Sequence, residues 1–137
     1  MGGMTDLSDS HTISIGVLDN DSLALNAIAV MTSRLSPRFH IIWSTTSPAM
    51  ALQRCMTHGA RPDVLVVDMQ DVGLRFYTYY ISMLRMMDAC ADFGRLVVVL
   101  DRPNPNGHLV DGPVLDMKYK SGVGALPIPV LHLSLIH

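Results

Sequence analysis

Short apolar runs alternate along this chain with longer segments in which apolar positions recur every three or four residues. "ISIGVL" (13–18) stops at "DNDS", as a strand covered on both faces does when a helix cap follows. From Ser22 to Leu35 the residues Leu23, Ala27, Ile28, Val30, Met31 and Leu35 return at helical spacing, and Pro37 marks the exit. "FHIIWSTTS" (39–47) predicts a second strand. "PAMALQRCMTHG" (48–59) predicts a second helix, with Pro48 in its first turn and Gly59 at its end. "DVLVVD" (63–68) predicts a third strand, and after the turn "QDVG" a third helix is expected over Tyr77–Asp92, closed by Gly94. "RLVVVLD" (95–101) predicts a fourth strand. Residues 102–122 carry three prolines and repeated Asn-Gly and Asp-Gly signals, which mark a loop. "LPIPVLHL" (126–133) is expected as a fifth strand, confined to an edge by its two prolines.

This alternation implies an α/β chain with right-handed crossovers. The expected fold is Rossmann-like or flavodoxin-like, three-layered, with a mostly parallel sheet of four to five strands. One domain is expected over residues 13–132, between a disordered N-terminus (1–12) and a tail (133–137). In such sheets ligands collect beyond the carboxyl ends of the strands. That edge should carry Asp19, Asp21, Asp68, Asp71 and Asp101.

Composition narrows the function classes. Of 137 residues, 49% are hydrophobic and 16% charged, and the net charge is −2, which speaks against both a disordered chain and a phosphate-backbone binder. Nucleic acid is not an expected partner. No window has the roughly 18 uninterrupted apolar residues of a membrane span. "MGGMTDLSDSHT" has neither the basic nor the apolar region of an export signal, so the expected address is cytoplasmic, with no membrane partner. Cys55 and Cys90 fall in apolar helical patterns and read as inert core thiols.

The acidic pair in "VLDNDSLALNAI" and the aspartate ending "PDVLVVDMQ" make residues 13–70 resemble the first half of a response-regulator receiver domain. The resemblance implies Mg²⁺ held by Asp19, Asp21 and Asp68, and a phosphoryl group accepted at Asp68 from a histidine kinase. A hard cation on oxygen ligands suits that chemistry. The second half departs from the pattern: the fourth strand ends at Asp101 where Ser or Thr is needed, and the only lysines, Lys118 and Lys120, precede the fifth strand rather than follow it.

"DMQDVGLRFYTYYISML", "VLDRPNPNGHLVDGPVLD" and "LPIPVLH" make residues 64–132 resemble the NamZ-like exo-β-N-acetylmuramidases, whose catalytic part is Rossmann-like. The resemblance implies a muropeptide or muramic acid glycoside as substrate, with Asp68 catalytic and Arg75, Tyr77, Asp101, Arg102, Asn104 and Asn106 facing the sugar. That reading requires no cofactor, although clustered carboxylates leave room for Mg²⁺. The residue types suit the work: Pro103 and Pro105 stiffen the loop that presents two amides, and Arg75 or Arg102 could grip a carboxylate in bidentate fashion. A structural alternative is a loop in which Arg102 neutralises Asp101 or Asp68.

Hydrolysis of a glycoside calls for two carboxyl groups astride the scissile bond. The chain has twelve aspartates and no glutamate, and the family's important glutamates lie in motifs outside the matching piece. The expectation is a fragment of the hydrolase, inactive as it stands. Because half of one sheet is continued by half of another over residues 63–70, and the ending "LSLIH" is similar to translated adapter sequence, a recombined reading frame is also expected.

Overall fold

A computed structural model describes residues 11–132 of the chain. The expectations for residues 1–10 and for the tail 133–137 lie outside these described residues. Among the described residues, four strands and three α-helices follow in order, β1 (Ile13–Asp19), α1 (Ser22–Leu35), β2 (Phe39–Thr45), α2 (Pro48–Met56), β3 (Val64–Asp68), α3 (Tyr79–Asp92) and β4 (Leu96–Val99), with a single 3-10 turn (Met117–Tyr119) in the loop beyond. The sheet is all parallel with order β2-β1-β3-β4. The chain is thus α/β and three-layered, as its periodicities predict.

Local chemistry explains the element ends. Asp21 caps α1 by accepting the Leu23 amide, and Ser47 caps α2 by accepting that of Met50, so each hydroxyl or carboxylate satisfies an amide that the first helical turn leaves without a partner. α2 ends at Met56, earlier than its pattern suggests, and Gly59 turns the chain at φ +86°. Arg61 then bonds back from Nε to the Cys55 carbonyl (2.7 Å).

Alternation along the strands divides the core. On one face Ile15 and Val17 meet Leu25 of α1, with Ile28, Phe39, Ile41, Val64 and Val66 packed around them. On the other, Leu18, Trp43, Leu65 and Val67 meet Ala51 and Cys55 of α2 and Met86, Ala89 and Cys90 of α3. Both thiols are free and buried, and burial pushes that of Cys55 up to about 12. Trp43 crosses directly over Gly16, where a Cβ would lie 2.4 Å from the indole ring, and its Nε1–H donates to the Ala60 carbonyl at 2.8 Å. The register shift between Ile15 and Gly16, opposite Ile41 and Trp43, turns Trp43 to this second face.

One expected element is absent. Residues 126–132 form no fifth strand among the described residues; Leu131 makes single antiparallel bridges to Leu74 and Asp111 instead. Pro127 and Pro129 lack the amide protons a ladder needs. The segment stitches the long loop after β4 to the stretch after β3, as Arg75 N–H donates to Val130, His132 N–H to Gly73, and Leu131 and Asp111 exchange both bonds.

Candidate functional site

The carboxyl ends of β1 and β3 bring two carboxylates together. Asp19 and Asp68 are in-register partners, so their backbones lie one strand spacing apart, about 4.8 Å. Their surroundings differ. Asp19 is 2% exposed; its Oδ1 accepts the Asp21 amide at 2.8 Å and its Oδ2 has no hydrogen-bond partner. Burial raises the Asp19 pKa above the usual carboxylate range, the Asp21 amide opposes that, Asp68 adds to it, and Arg102 opposes it. Asp68, less deeply buried, is hydrogen-bonded and ion-paired to Nη2 of Arg102, which reaches it from the loop after β4.

That loop is fixed by its own side chains. Asn104 folds back to accept the Asn106 amide at Oδ1 (2.9 Å) and donates from Nδ2 to the His132 carbonyl (3.1 Å). Asn106 Nδ2 donates to the Val72 carbonyl at 2.7 Å. Gly73, at φ +73°, sits beneath Asn104, where a Cβ would come within 2.4 Å of the amide. Asp71 Oδ1 accepts the Gly73 amide and tightens the same turn. Arg75 Nη1 bridges the carbonyls of Pro113 (2.8 Å) and Ile128 (2.7 Å). Tyr77 is partly exposed, with its ring edge-on to Tyr79 at 4.8 Å between centroids. The neighbouring Tyr80 is buried, accepts the Ala125 amide on its hydroxyl and meets the His132 ring edge-on.

Against the sequence-derived set, Asp19, Asp68 and Arg102 come together at one edge. Asn104, Asn106 and Arg75 use side-chain donors on backbone carbonyls, and so hold the loop's shape. Asp101 is exposed, and its Oδ1 accepts the Arg102 amide. Arg102 neutralises Asp68, as the structural alternative has it. Asp21 turns its carboxylate to the cap of α1, and among the described residues no group of three or more His, Cys, Asp or Glu is placed to hold a metal ion. The geometry of Asp19, Asp21 and Asp68 thus adds nothing to the receiver-type Mg²⁺ site, whose central carboxylate is already engaged by a guanidinium. Sequence reasoning did not single out Tyr80 and His132 as ties; a tyrosine on the buried stripe of α3 was the available signal.

Comparison with known proteins identifies the lineage. The family model described as exo-beta-N-acetylmuramidase NamZ, N-terminal, matches residues 53–134. The chain belongs to this family. It is 49% identical over 71 residues to the peptidoglycan beta-N-acetylmuramidase NamZ of Bacillus subtilis (strain 168), a match taking in 51% of this chain and 17% of that protein. A solved DUF1343 family protein of Bacteroides fragilis is 40% identical with a TM-score of 0.61, covering 88% of this chain and 38% of its own. A second, from the same organism, shares the fold at 24% identity and a TM-score of 0.63, with the same coverages. The chain therefore spans well under half the length of each of these relatives.

The 88% coverage exceeds the share of the chain within residues 53–134, so the likeness to a NamZ-type fold reaches into the front half. One parent fold accommodates both halves, and the layered architecture by itself calls for no join of two ancestries near residues 63–70. The receiver resemblance of residues 13–70, with its phosphorelay and histidine kinase, gains no support from these comparisons. No helix among the described residues is long and apolar enough to cross a membrane.

Proposed function

We propose that this chain is a fragment of a NamZ-type glycoside hydrolase and contributes part of a binding site for the N-acetylmuramic acid end of peptidoglycan-derived glycosides. The observation that carries this reading is the family match over residues 53–134, which takes in Asp68, the tied loop and Arg102. Arg102 has one amino group on Asp68 and a side chain half exposed, so its remaining donors are available to a ligand carboxylate such as a lactyl group. Tyr77 offers a partly exposed ring in the stretch after β3. The ties made by Asn104, Asn106 and Arg75 hold the loop in place before a ligand arrives, which lowers the ordering cost of binding.

On this reading the fragment binds but does not turn over. Of the carboxyl groups at the edge, Asp68 is committed to an ion pair, Asp19 is buried, and Asp21, Asp71 and Asp101 each accept a backbone amide of their own turn, so no pair stands ready astride a glycosidic bond. The test is calorimetric titration with N-acetylmuramic acid, paired with incubation with a chromogenic muramic acid glycoside. Binding that N-acetylglucosamine, lacking the lactyl carboxylate, does not reproduce, and that Arg102→Ala removes, supports the reading. Equal response to both sugars, or none to either, overturns it; chromogen release overturns the inactive part.

A further inference from the structure

Most cations of this chain are committed within it. Arg61 and Arg75 hydrogen-bond to backbone carbonyls, Arg95 and Arg102 to aspartates, and Lys118 pairs with Asp116 at 2.8 Å. The side chains of Arg85 and Lys120 have neither a hydrogen bond nor an ion pair among the described residues, and they line the same cleft.

One wall of that cleft is helical. Ile81, Leu84, Arg85 and Asp88 fall at spacings of three and four on α3 and so share a face. The other wall is the turn from Lys120 to Leu126. The buried Tyr80 fixes it against α3 by accepting the Ala125 amide on its hydroxyl at 3.0 Å, and Ser121 and Gly124 close it by exchanging backbone bonds of 2.9 and 3.3 Å. Between the walls lies a space of about 370 Å³, within the range of small-ligand sites. Ile81 is buried and Leu84 and Leu126 are half-buried, whereas Arg85, Asp88 and Lys120 are exposed. The cleft is therefore apolar at its base and charged at its mouth.

Arg85 and Asp88 stand one helical turn apart yet form no ion pair, so the cleft presents two positive charges and one negative, each open to a ligand. Two cations alone suit any small dianion. Asp88 beside them raises the cost of a bare dianion and supplies an acceptor for an ammonium group. We infer that this cleft is a binding site for an acidic amino acid of the glutamate type. Its two carboxylates lie on Arg85 and Lys120, its ammonium on Asp88, and its methylenes over Ile81, Leu84 and Leu126. The fixed turn holds the backbone of Lys120 in place before a ligand arrives, which lowers the ordering cost. The site does not rest on the muramic acid reading, since Arg85, Asp88 and Lys120 make no bond to the edge around Arg102.

Titration of the whole chain with glutamate, followed by amide chemical shifts in nuclear magnetic resonance spectra, tests this. Because the three charges are exposed, a dissociation constant of about 1 to 10 mM is expected, with saturating shifts in residues 81–88 and 120–126. Glutamine, lacking one carboxylate, and glutarate, lacking the ammonium, should each bind about fivefold or more weakly. Arg85→Gln and Lys120→Gln alter exposed side chains and should weaken glutamate to a similar degree, whereas Lys118→Gln, on the lysine already paired, should not. Asp88→Asn should weaken glutamate and strengthen glutarate. No saturable shift by about 50 mM, equal binding of glutamate and glutarate, or equal loss in the Lys118 and Lys120 variants would each overturn the assignment.

Discussion

Asp19 and Asp68 stand in register on neighbouring parallel strands, yet only Asp68 is hydrogen-bonded to a countercharge. The same residue type thus occupies two electrostatic settings one strand apart, and the difference can be measured.

For Asp19, burial raises the folded-state pKa above the unfolded value. The group is therefore without penalty below the ordinary aspartate pKa of about 4 and costs stability as pH rises through the raised value. Asp19→Asn keeps an oxygen for the Asp21 amide and removes the buried charge. Thermal melts should show the variant more stable than the parent at pH 7, with the gain vanishing as pH falls below about 4. Equal melting temperatures at both pH values would contradict this.

Arg102→Ala should cost little stability, about 0.5 to 1 kcal/mol, because its guanidinium is half exposed and the pair is screened. A double-mutant cycle with Asp68→Asn should return a coupling of that size, which added salt diminishes.

At the opposite edge of the sheet, the Ser14 hydroxyl and amide both donate to Asp63 Oδ2 (2.7 and 2.9 Å), and Arg95 Nη1 donates to Oδ1 at 2.7 Å. The Ser14 hydrogen bonds, with Arg95 behind them, hold the Asp63 carboxyl below its usual range. The stability it confers is present above the unfolded pKa and is lost as pH falls through the lowered one. Asp63→Ala should cost about 1 to 2 kcal/mol at pH 7 in urea denaturation, a modest figure because the pair is a third exposed. The cost should shrink in acid.

Gly16→Val should be severe. Its side chain would occupy the place of the indole of Trp43, so a loss of about 1 to 3 kcal/mol is expected, together with a red shift in the emission of the chain's single tryptophan as the ring is displaced. Gly73→Ala combines a positive φ with a Cβ 2.8 Å from the His132 carbonyl, and should loosen the loop so that limited proteolysis cuts within residues 100–132.

The layers were legible because their periods are local. Residues 13–18 and 63–68 read as buried strands, and "DNDS" announced a helix cap, the place that Asp21 fills. The ties of the rim were not. Arg75 meets carbonyls 38 and 53 residues ahead, and nothing in "GLRFYTYY" tells a guanidinium that will hold a loop from one that will hold a sugar. Asn104 shows both cases: its bond to the Asn106 amide follows from a spacing of two, whereas its bond to His132 requires the fold. The absent fifth strand has a local cause in Pro127 and Pro129 that outweighed the apolar pattern.

The seam between the stretch after β3 and residues 128–132 also sets an order of events during synthesis. At about 5 to 20 residues per second, the ribosome takes about 3 to 10 s to pass from Arg75 to the Ile128 carbonyl that its guanidinium grips. In the later part of that interval, once β4 has been made, all four strands are present while the rim stays unclosed. A chaperone or protease meeting the growing polypeptide would find this edge accessible, and emergence of residues 128–132 is the step that shuts it.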